Sequence, residues 1–416
     1  RWDSPGYLTD SQFMARAYDA VTDRTDGGFK RRAQERVSFR VLTGSAMLWR
    51  TTLYATQGRW QFYGTVPEAG GAGEGSGSQT EEEDLRYGLG FTSALTWGLP
   101  RGELTIGTEG RLDHSKFENW FTTARVRDSA QTLVTGRQLS GGLFAEATTD
   151  PTMHLRLTFG ARLDGISTQS KPDGAATLSA QHGIVSPKVG ALYHLPGAID
   201  LYATVGRGFR STDGVINDPT LPFITTWAYE SGLRFDTHGV SGSVALFQMD
   251  VSNEQTFNPV TLSSTSGGSS RRRGVELEMQ VRASPSLTFS TDWTLNDATY
   301  RHLIGEEGDT LDGARVFNTA KYIGTAAVDL SPFGRTWRLR ASTDVTGPYT
   351  PFDEPGVERP AYALAHLSGG KRIGAAQLEL GIRNLFNTAY REIEAGGFVA
   401  PGQPRSVYGM VRYDRF

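Results

Sequence analysis

The sequence predicts an all-β protein, a transmembrane antiparallel β-barrel, and two observations support this. Apolar and polar residues alternate over segments of about 10 to 15 residues, longer than the five or six usual in soluble strands and long enough for a tilted membrane crossing. The chain also ends in such a segment, residues 405–416 (RSVYGMVRYDRF), which stops at an aromatic residue. In a barrel the last strand pairs with the first, so that no strand edge meets lipid. A terminal strand of a soluble sheet explains these twelve residues equally well, so the strand lengths decide.

Composition excludes several other classes. The chain has 416 residues, is 38% hydrophobic, contains no cysteine and carries a formal charge of -3. A near-neutral chain lacks the basic face that nucleic acids require, so we expect no nucleic-acid partner. Because no apolar run reaches about eighteen residues, a transmembrane helix is not predicted. The chain begins without a signal peptide and in loop-like composition, so we expect it to be a mature or truncated form.

The N-terminal part of the chain is interpreted as a loop region that precedes the first strand of the barrel. Residues 1–33 show no sustained period and are predicted to form an extracellular loop region, with the barrel occupying residues 34–416. Residues 64–85 are glycine-rich and then acidic, which predicts a flexible loop. A phosphate-binding loop would need a following lysine and helix start, and neither is present.

From residue 34 onward one unit repeats: two amphipathic strands, a tight turn between them, and a long polar loop. Counting these units gives about 17 strands. The long connections are expected near residues 114–137, 167–183, 210–225, 254–269, 301–314, 350–360 and 387–403. Trp49, Trp97, Tyr202 and Trp337 lie near strand ends, as interfacial aromatic girdles do.

The alternation also predicts which side chains face which way. We expect Leu157, Leu277 and Leu339 to face lipid, and Arg156, Glu278 and Arg340 to face the barrel interior. In the last strand, Val407, Val411 and Tyr413 fall on one phase and Phe416 on the other, so a bulge near Asp414 or an exit from the bilayer is expected.

Four motifs, found in this order, resemble the barrel of TonB-dependent outer-membrane receptors. They are SPKVG with LYATVGRGFRS (186–190, 201–211), RGVELE (273–278), GIRNLFNTAY (381–390), and PGQPR leading into the last strand (401–405). The resemblance implies a plugged barrel of about 22 strands that imports scarce nutrients, most often ferric siderophores, with energy supplied through TonB. The plug domain, the segment that contacts TonB and about five strands have no counterpart here. We therefore expect the edge of the first strand, residues 34–43, not to pair with residues 404–416.

No catalytic signature is present, so the chain is not predicted to be an enzyme, and no cofactor or metal site is predicted. The acidic runs at 81–84 and 306–309 are interpreted as solvated loop charge rather than calcium ligands. Arg271, Arg272 and Arg273 suit either a solvated rim or the phosphates of lipopolysaccharide or an anionic ferric chelate, and the sequence does not separate these alternatives.

The expected function is import of a scarce nutrient, such as a ferric siderophore, across the outer membrane of a Gram-negative bacterium. The expected partners are outer-membrane lipid and lipopolysaccharide, the TonB complex through the missing N-terminal region, and the small-molecule ligand. A passive porin-like channel, which needs about 16 to 18 strands and an open lumen, is the alternative. An outer-membrane hydrolase is a third class, but no nucleophile has convincing neighbours. The gene upstream of Arg1 would discriminate among the three.

If the last strand ends at the periplasm, every long loop lies outside the cell. Ligand contact then belongs to these loops and to the interior positions beneath them, where aromatic and arginine side chains suit a flat anionic chelate. The candidate ligand-binding residues are Trp60, Tyr63, Trp120, Phe121, Arg210, Trp227, Tyr300, Tyr349 and Phe352.

Overall fold

The computed structural model describes most of the chain. The described residues are 1–4, 6–20, 23–44, 46–66, 78–211, 218–258, 263–304, 310–332, 336–352, 354–395 and 398–413. Most of the glycine-rich run, the acidic run at 306–309 and the terminal residues 414–416 therefore lie outside the described part, and so does the expected bulge near Asp414. No helix in the described ranges is both long and apolar enough to span a membrane.

Strands dominate the described chain, and seventeen of them have eight residues or more. This number agrees with the predicted count. The elements are β1 (Trp2–Asp3), β2 (Leu8–Thr9), α1 (Asp10–Met14), β3 (Gly27–Thr43), β4 (Met47–Val66), β5 (Ser78–Leu99), β6 (Gly102–Thr123), β7 (Val126–Thr149), β8 (Leu155–Pro172), β9 (Leu178–Leu195), β10 (Ile199–Arg210), β11 (Ile224–Thr237), β12 (Val240–Asn258), β13 (Ser263–Ser284), β14 (Leu287–His302), β15 (Tyr322–Leu330), β16 (Trp337–Thr346), β17 (Tyr362–Ile373), β18 (Ala376–Arg383), β19 (Arg391–Ala395), β20 (Phe398–Pro401) and β21 (Ser406–Tyr413).

The long strands form one antiparallel sheet in chain order. Each strand from β3 to β18 pairs with the next, and β21 completes the series by pairing with β18. No ladder joins β3 to β21 within the described residues, so the barrel wall is open there, as expected. The short β1 pairs with Gly27 and Gly28 at the start of β3.

Several predicted loops are strand instead. The strand β3 begins at Gly27, so the predicted loop region 1–33 extends seven residues too far, and it also contains the short helix α1. Residues 78–85 belong to β5, and β6 and β7 run through the predicted loop at 114–137 to a two-residue turn in which Ala124 and Arg125 have positive φ. The connections at 167–183 and 254–269 are likewise mostly strand. Both faces of these strand extensions carry polar side chains. The sequence there therefore lacks the alternation of apolar and polar residues that indicates a strand.

The ladder register separates an apolar face from a polar one. Val244, Leu277 and Trp293 are ladder partners on one face, whereas Glu278 lies with its own partners on the opposite face. Most of the charged residues that line two described cavities lie on the polar face, which we call the concave face; we call the other the convex face. The ladder register thus confirms the predicted alternation. The ladder partners of Leu157 and Leu339 lie on the convex face, so these two leucines do as well.

A small second sheet joins the two ends of the chain at the loop end of the barrel wall. The strand β20 pairs with both β19 and β2, and Leu8, Phe13 and Val399 form a buried core beneath α1. Thr9 caps α1 by accepting a hydrogen bond from the backbone N–H of Gln12, whose side chain bonds back to the Thr9 N–H. Arg391 adds ionic contacts to this cluster.

The face assignment predicts a contrast between two neighbouring substitutions. Leu277→Arg places a charge on the lipid face, where it costs roughly 2 to 4 kcal/mol near the midplane. We expect it to lower the amount of heat-modifiable folded protein in outer membranes, measured by gel mobility with and without boiling. Glu278→Arg, on the concave face, is the matched control and is expected to assemble normally. Equal losses from the two substitutions contradict the assignment.

Candidate functional site

A cavity of about 770 Å³ lies on the concave face towards the loop end, formed by strands β3 to β8. Four cationic residues that line the cavity have ladder positions on this face: Lys30 and Arg32 of β3, Arg86 of β5 and Arg111 of β6. Two lining carboxylates share this face. An anion entering from the loop side therefore meets a predominantly positive wall.

The two carboxylates are already neutralised by neighbours on their own strands. Arg86 Nε lies 2.5 Å from Asp84 Oδ2, and Arg111 Nε lies 2.6 Å from Asp113 Oδ2. Lys30 and Arg32 are exposed and have no ion pair with another described residue. The net positive charge of the cavity therefore resides on β3.

Gly88 leaves space beside two of the residues that line this cavity. Gly88 lies between Thr56 and Asp113 in the ladder. A Cβ at position 88 would lie 2.8 Å from both Thr56 Oγ1 and Asp113 Oδ1. A larger residue here would push the carboxylate away from Arg111 or narrow the cavity.

A second cavity of about 1070 Å³ lies on the concave face of strands β10 to β16 and has the opposite charge. Arg234 is the single cationic residue among its described lining residues. Five carboxylates line it: Glu230, Glu276, Glu278, Asp292 and Asp344. An anion is therefore attracted to the β3–β8 side of the interior and repelled from the β10–β16 side.

Of the predicted ligand-binding residues, Trp60 lies in the basic cavity. It is the ladder partner of Lys30 and Asp84, and its ring stacks on Phe62 at a centroid distance of 5.8 Å. Phe121 shares the concave face, paired with Thr80 further towards the loop end, and its side chain is 39% exposed.

Tyr63 and Trp120 lie on the convex face and not on the face of the basic cavity, and their ligand contact stays a prediction. Both are ladder partners of Glu81, which is 1% exposed. The Arg127 guanidinium binds Glu81 through both oxygens, at 2.6 and 2.9 Å, and lies 4.9 Å from the Trp120 ring centroid. Arg125 lies 5.2 Å from the Tyr63 ring centroid. These aromatics therefore stabilise the β6–β7 hairpin extension.

This network fixes the protonation of Glu81, which lies beyond the apolar band of the wall. Burial by itself raises the pKa of Glu81, but hydrogen bonds from Arg127 and Gln61 outweigh burial and hold the pKa below its usual range. The carboxylate is therefore charged at neutral pH. This acidic run is neither the solvated loop charge nor the calcium site considered from the sequence.

Arg210 and Trp227 are separated by the register. Arg210 lies at the end of β10 on the concave face. Its side chain is exposed and has no polar partner among the described residues. Trp227 lies on the convex face and is 38% exposed. Its ring stacks on that of Tyr229, with 6.5 Å between the ring centroids. Trp227 therefore lies on the face opposite to the basic cavity, and its ligand contact stays a prediction.

Tyr300 lies near the end of β14, whereas Tyr349 and Phe352 lie in the connection between β16 and β17. Tyr300 is 4% exposed and meets Phe317 edge-on at 5.6 Å, and Phe317 meets Phe352 at 5.7 Å. Burial and the neighbouring Glu394 carboxylate raise the pKa of Tyr349 to about 12. These aromatic residues therefore pack against other parts of the chain, and their ligand contact stays a prediction.

Sequence reasoning missed Lys30 and Arg32, because it assigned residues 1–33 to a loop. The basic run at 30–32 was the available signal. The three arginines considered for the rim are ion-paired: Arg271 with Asp250, Arg272 with Glu254 and Arg273 with Asp297. Within the described ranges, no group of three potential ligand side chains is placed to hold a metal ion.

Comparison with known proteins identifies the family. Residues 2–385 match the family described as "TonB dependent receptor-like, beta-barrel". The chain belongs to the TonB-dependent receptor family. Members are outer-membrane proteins of Gram-negative bacteria that bind ligands such as siderophores and interact with TonB.

Three solved structures share the fold. They are the ferric citrate transporter FecA in its unliganded form (16% identity, TM-score 0.80, 98% of this chain), the ferric yersiniabactin uptake receptor FyuA from Yersinia pestis (16%, 0.77, 94%) and the copper transporter OprC (15%, 0.76, 93%). This TonB-dependent receptor chain spans 65%, 63% and 66% of their respective lengths. At such identities the likeness supports the fold alone.

The Glu81 network predicts a local acid sensitivity in this receptor. Because the folded pKa of Glu81 lies below the usual value of about 4.3, its stabilisation is present above that pH and is lost as pH falls through the folded value. Glu81→Gln is expected to remove about 2 kcal/mol of local stability, since charge-assisted hydrogen bonds contribute about 1.5 to 3. Amide hydrogen exchange in residues 118–127 should then rise more than tenfold at pH 7.

Glu82→Gln is the control, because Glu82 faces the other side and burial raises the pKa of Glu82. Exchange should be unchanged or slower in this variant. A Glu81→Gln protein that exchanges at the unsubstituted rate would show that the ion pairs contribute nothing to the hairpin.

Proposed function

We propose that this chain forms most of the barrel wall of an outer-membrane receptor that imports an anionic ferric chelate of the siderophore class, energised through TonB. The observation that carries the proposal is the basic cavity at the loop end of the concave face. Lys30 and Arg32 supply positive charge there, at the loop end of the wall, and have no ion-pair partner among the described residues.

Charge distribution supports an anionic ligand. In a cleft with low-dielectric walls, a cluster of like charges focuses the field and raises the local concentration of the opposite ion. The carboxylates of the second cavity lie on strands β10 to β16, so the interior does not attract anions uniformly. The attractive region is confined to the β3–β8 side.

Aromatic contact supports a chelate rather than a simple ion. Trp60 contributes an indole to the same wall as Lys30, and Arg111 adds a guanidinium with planar, forked hydrogen-bonding geometry. Ferric chelates with carboxylate or catecholate groups present both negative oxygens and flat surfaces. An indole beside cations complements both features.

Family membership supports energised import over a passive channel. A passive porin-like channel needs no TonB, whereas the family interacts with it. Uptake of the ligand by cells that express the native gene should therefore stop when TonB is deleted. Uptake that continues without TonB favours the porin-like alternative.

The basic cavity predicts the effect of removing its unpaired charges. Lys30→Gln with Arg32→Gln should weaken binding of an anionic ferric chelate to intact cells at least tenfold, because two attractive charges of about 1 kcal/mol each are lost. The measurement is equilibrium binding of ⁵⁵Fe-labelled ferric citrate and of a ferric catecholate to cells expressing the native gene, at matched surface abundance.

The matched control is Arg36→Gln with Arg40→Gln, which removes two cations from the same strand and the same face but outside the cavity. This variant should bind as the unsubstituted protein does. If both double variants bind equally, the cavity does not select the ligand by charge. If only a glycan or cobalamin binds the unsubstituted receptor, the substrate class is wrong although the fold stands.

A further inference from the structure

Arginine side chains lie on the concave face of β3 and β4 at the depth of the apolar band. Arg36 and Arg40 alternate along β3 with Val37 and Phe39, whose side chains lie on the convex face and are 55% and 54% exposed. Arg50 of β4 is directly opposite Arg40 in the ladder. Because Val37 and Phe39 belong to the lipid-facing band, these three arginines lie at membrane depth on the inward face. Ionisable residues in such positions often mark the paths of substrates and ions.

Neither strand supplies a counter-charge to these arginines. Arg36, Arg40 and Arg50 are exposed, and none has a hydrogen bond or ion pair with another described residue. Glu35 is the single acidic residue of β3 and β4, and it lies on the convex face. Like charges directly opposite each other, as at Arg40 and Arg50, destabilise a sheet. An anion that comes from outside these two strands is therefore needed to balance them.

Two interior cations on neighbouring strands are balanced within the wall. Arg162 of β8 also lies on the concave face, and its Nε lies 2.8 Å from both carboxylate oxygens of Asp164. Lys188 of β9 lies on the same face and forms an ion pair with Glu146. The arginines of β3 and β4 differ from these cations because no carboxylate of the described chain neutralises them.

The arginines continue the positive charge of the basic cavity along one strand. Arg32 of the cavity, Arg36 and Arg40 follow one another on the same face at four-residue intervals, which correspond to about 13 Å along the strand. Between the last two, the hydroxyl oxygens of Ser38 and Thr52 lie 3.0 Å apart and keep this stretch polar. The distance along β3 from Arg32 to Arg40 is about 27 Å, close to the hydrocarbon thickness of about 30 Å.

The aromatic side chain beside this column leaves it uncovered. Tyr54 is the ladder partner of Arg36, but its ring lies over Gly90 of β5, on the other side of β4. A Cβ at position 90 would lie 2.4 Å from the Tyr54 ring. Glycine at this position therefore allows the ring to lie away from β3, and the Arg36 side chain stays open to the interior.

We propose that Arg36, Arg40 and Arg50 form a basic track that guides the anionic chelate from the basic cavity towards the tight-turn end of the barrel during import. Each guanidinium offers planar, forked donors to the oxygens of the chelate, and the next cation along β3 attracts the anion as it leaves the previous one. The carboxylates on β10 to β16 disfavour passage along those strands. This inference rests on the anionic ligand and energised import of the proposed function, to which it adds the route.

The test separates import from binding in cells that express the native gene and contain TonB. Arg36→Gln with Arg40→Gln should lower the rate of import at saturating chelate at least fivefold, measured with ⁵⁵Fe-labelled ferric citrate and with a ferric catecholate at matched surface abundance. Equilibrium binding of the same chelates should change less than twofold, because the basic cavity is intact. A variant that only misfolds would lose surface receptor and binding together.

Two further variants separate charge from shape. Arg36→Lys with Arg40→Lys retains both charges and should import at no less than half the unsubstituted rate. Glu35→Gln removes a charge from the convex face of the same strand and should import at the unsubstituted rate. The inference is overturned if the glutamine double variant imports as fast as the unsubstituted receptor, or if the lysine and glutamine double variants are equally slow.

The arginines could instead hold carboxylates of the plug domain, and permeability distinguishes this alternative. In cells that lack TonB, the glutamine double variant should exclude vancomycin as well as the unsubstituted receptor does, measured by growth inhibition. Entry of vancomycin through the variant overturns the track, because the arginines would then be needed to keep the barrel closed. If the unsubstituted receptor itself shows no TonB-dependent import of either chelate, the proposed function fails and the track fails with it. A track that fails alone leaves binding and import equal in the variant and the unsubstituted receptor.

Discussion

The backbone ladder is the constraint on which every other property of this receptor depends. Each long strand pairs with its neighbour in unbroken antiparallel register over most of its length, so one residue of slippage would exchange the two faces of a whole strand. In lipid the backbone groups have no alternative partner, which makes the register expensive to alter. A fixed register then fixes, residue by residue, which side chains meet lipid and which meet the interior. The charge pattern of the molecule follows from that parity.

The sequence was sufficient to predict the parts of the wall where one face is apolar. Leu277 and Glu278 alternate in period two, and the register bears this out. The period disappears where strands continue beyond the apolar band. In β6 and β7, Lys116, Glu118 and Arg127 lie on the convex face, so alternation of polarity no longer marks a strand there. Those extensions were predicted as loops because backbone pairing leaves no trace in a sequence that is polar on both sides.

The site was less predictable than the fold, for a related reason. Selecting aromatics and arginines near loops takes no account of the face on which they lie, and a shift of one residue along a strand moves a side chain from the interior to the exterior. Trp60 and Trp120 illustrate this: one lies in the basic cavity, whereas the other lies against Arg127 on the outside. Lys30 and Arg32 were assigned to a loop because the strand that holds them begins at a glycine pair, a composition that usually marks a turn.

Ion pairing distinguishes cations that stabilise the protein from cations that remain for a ligand. Arg127, Arg271 and Arg391 are each bound to carboxylates, and their roles are internal. Lys30 and Arg137 have no such partner among the described residues, and they lie on opposite faces of the wall. Both unpaired groups belong to the same half of the sheet, strands β3 to β8. That half therefore has cations without ion-pair partners on both of its faces, while strands β10 to β16 turn carboxylates inward. Cations without an ion-pair partner on the interior face leave positive charge that can attract an anion there, and this is the physical basis of the proposed chelate site.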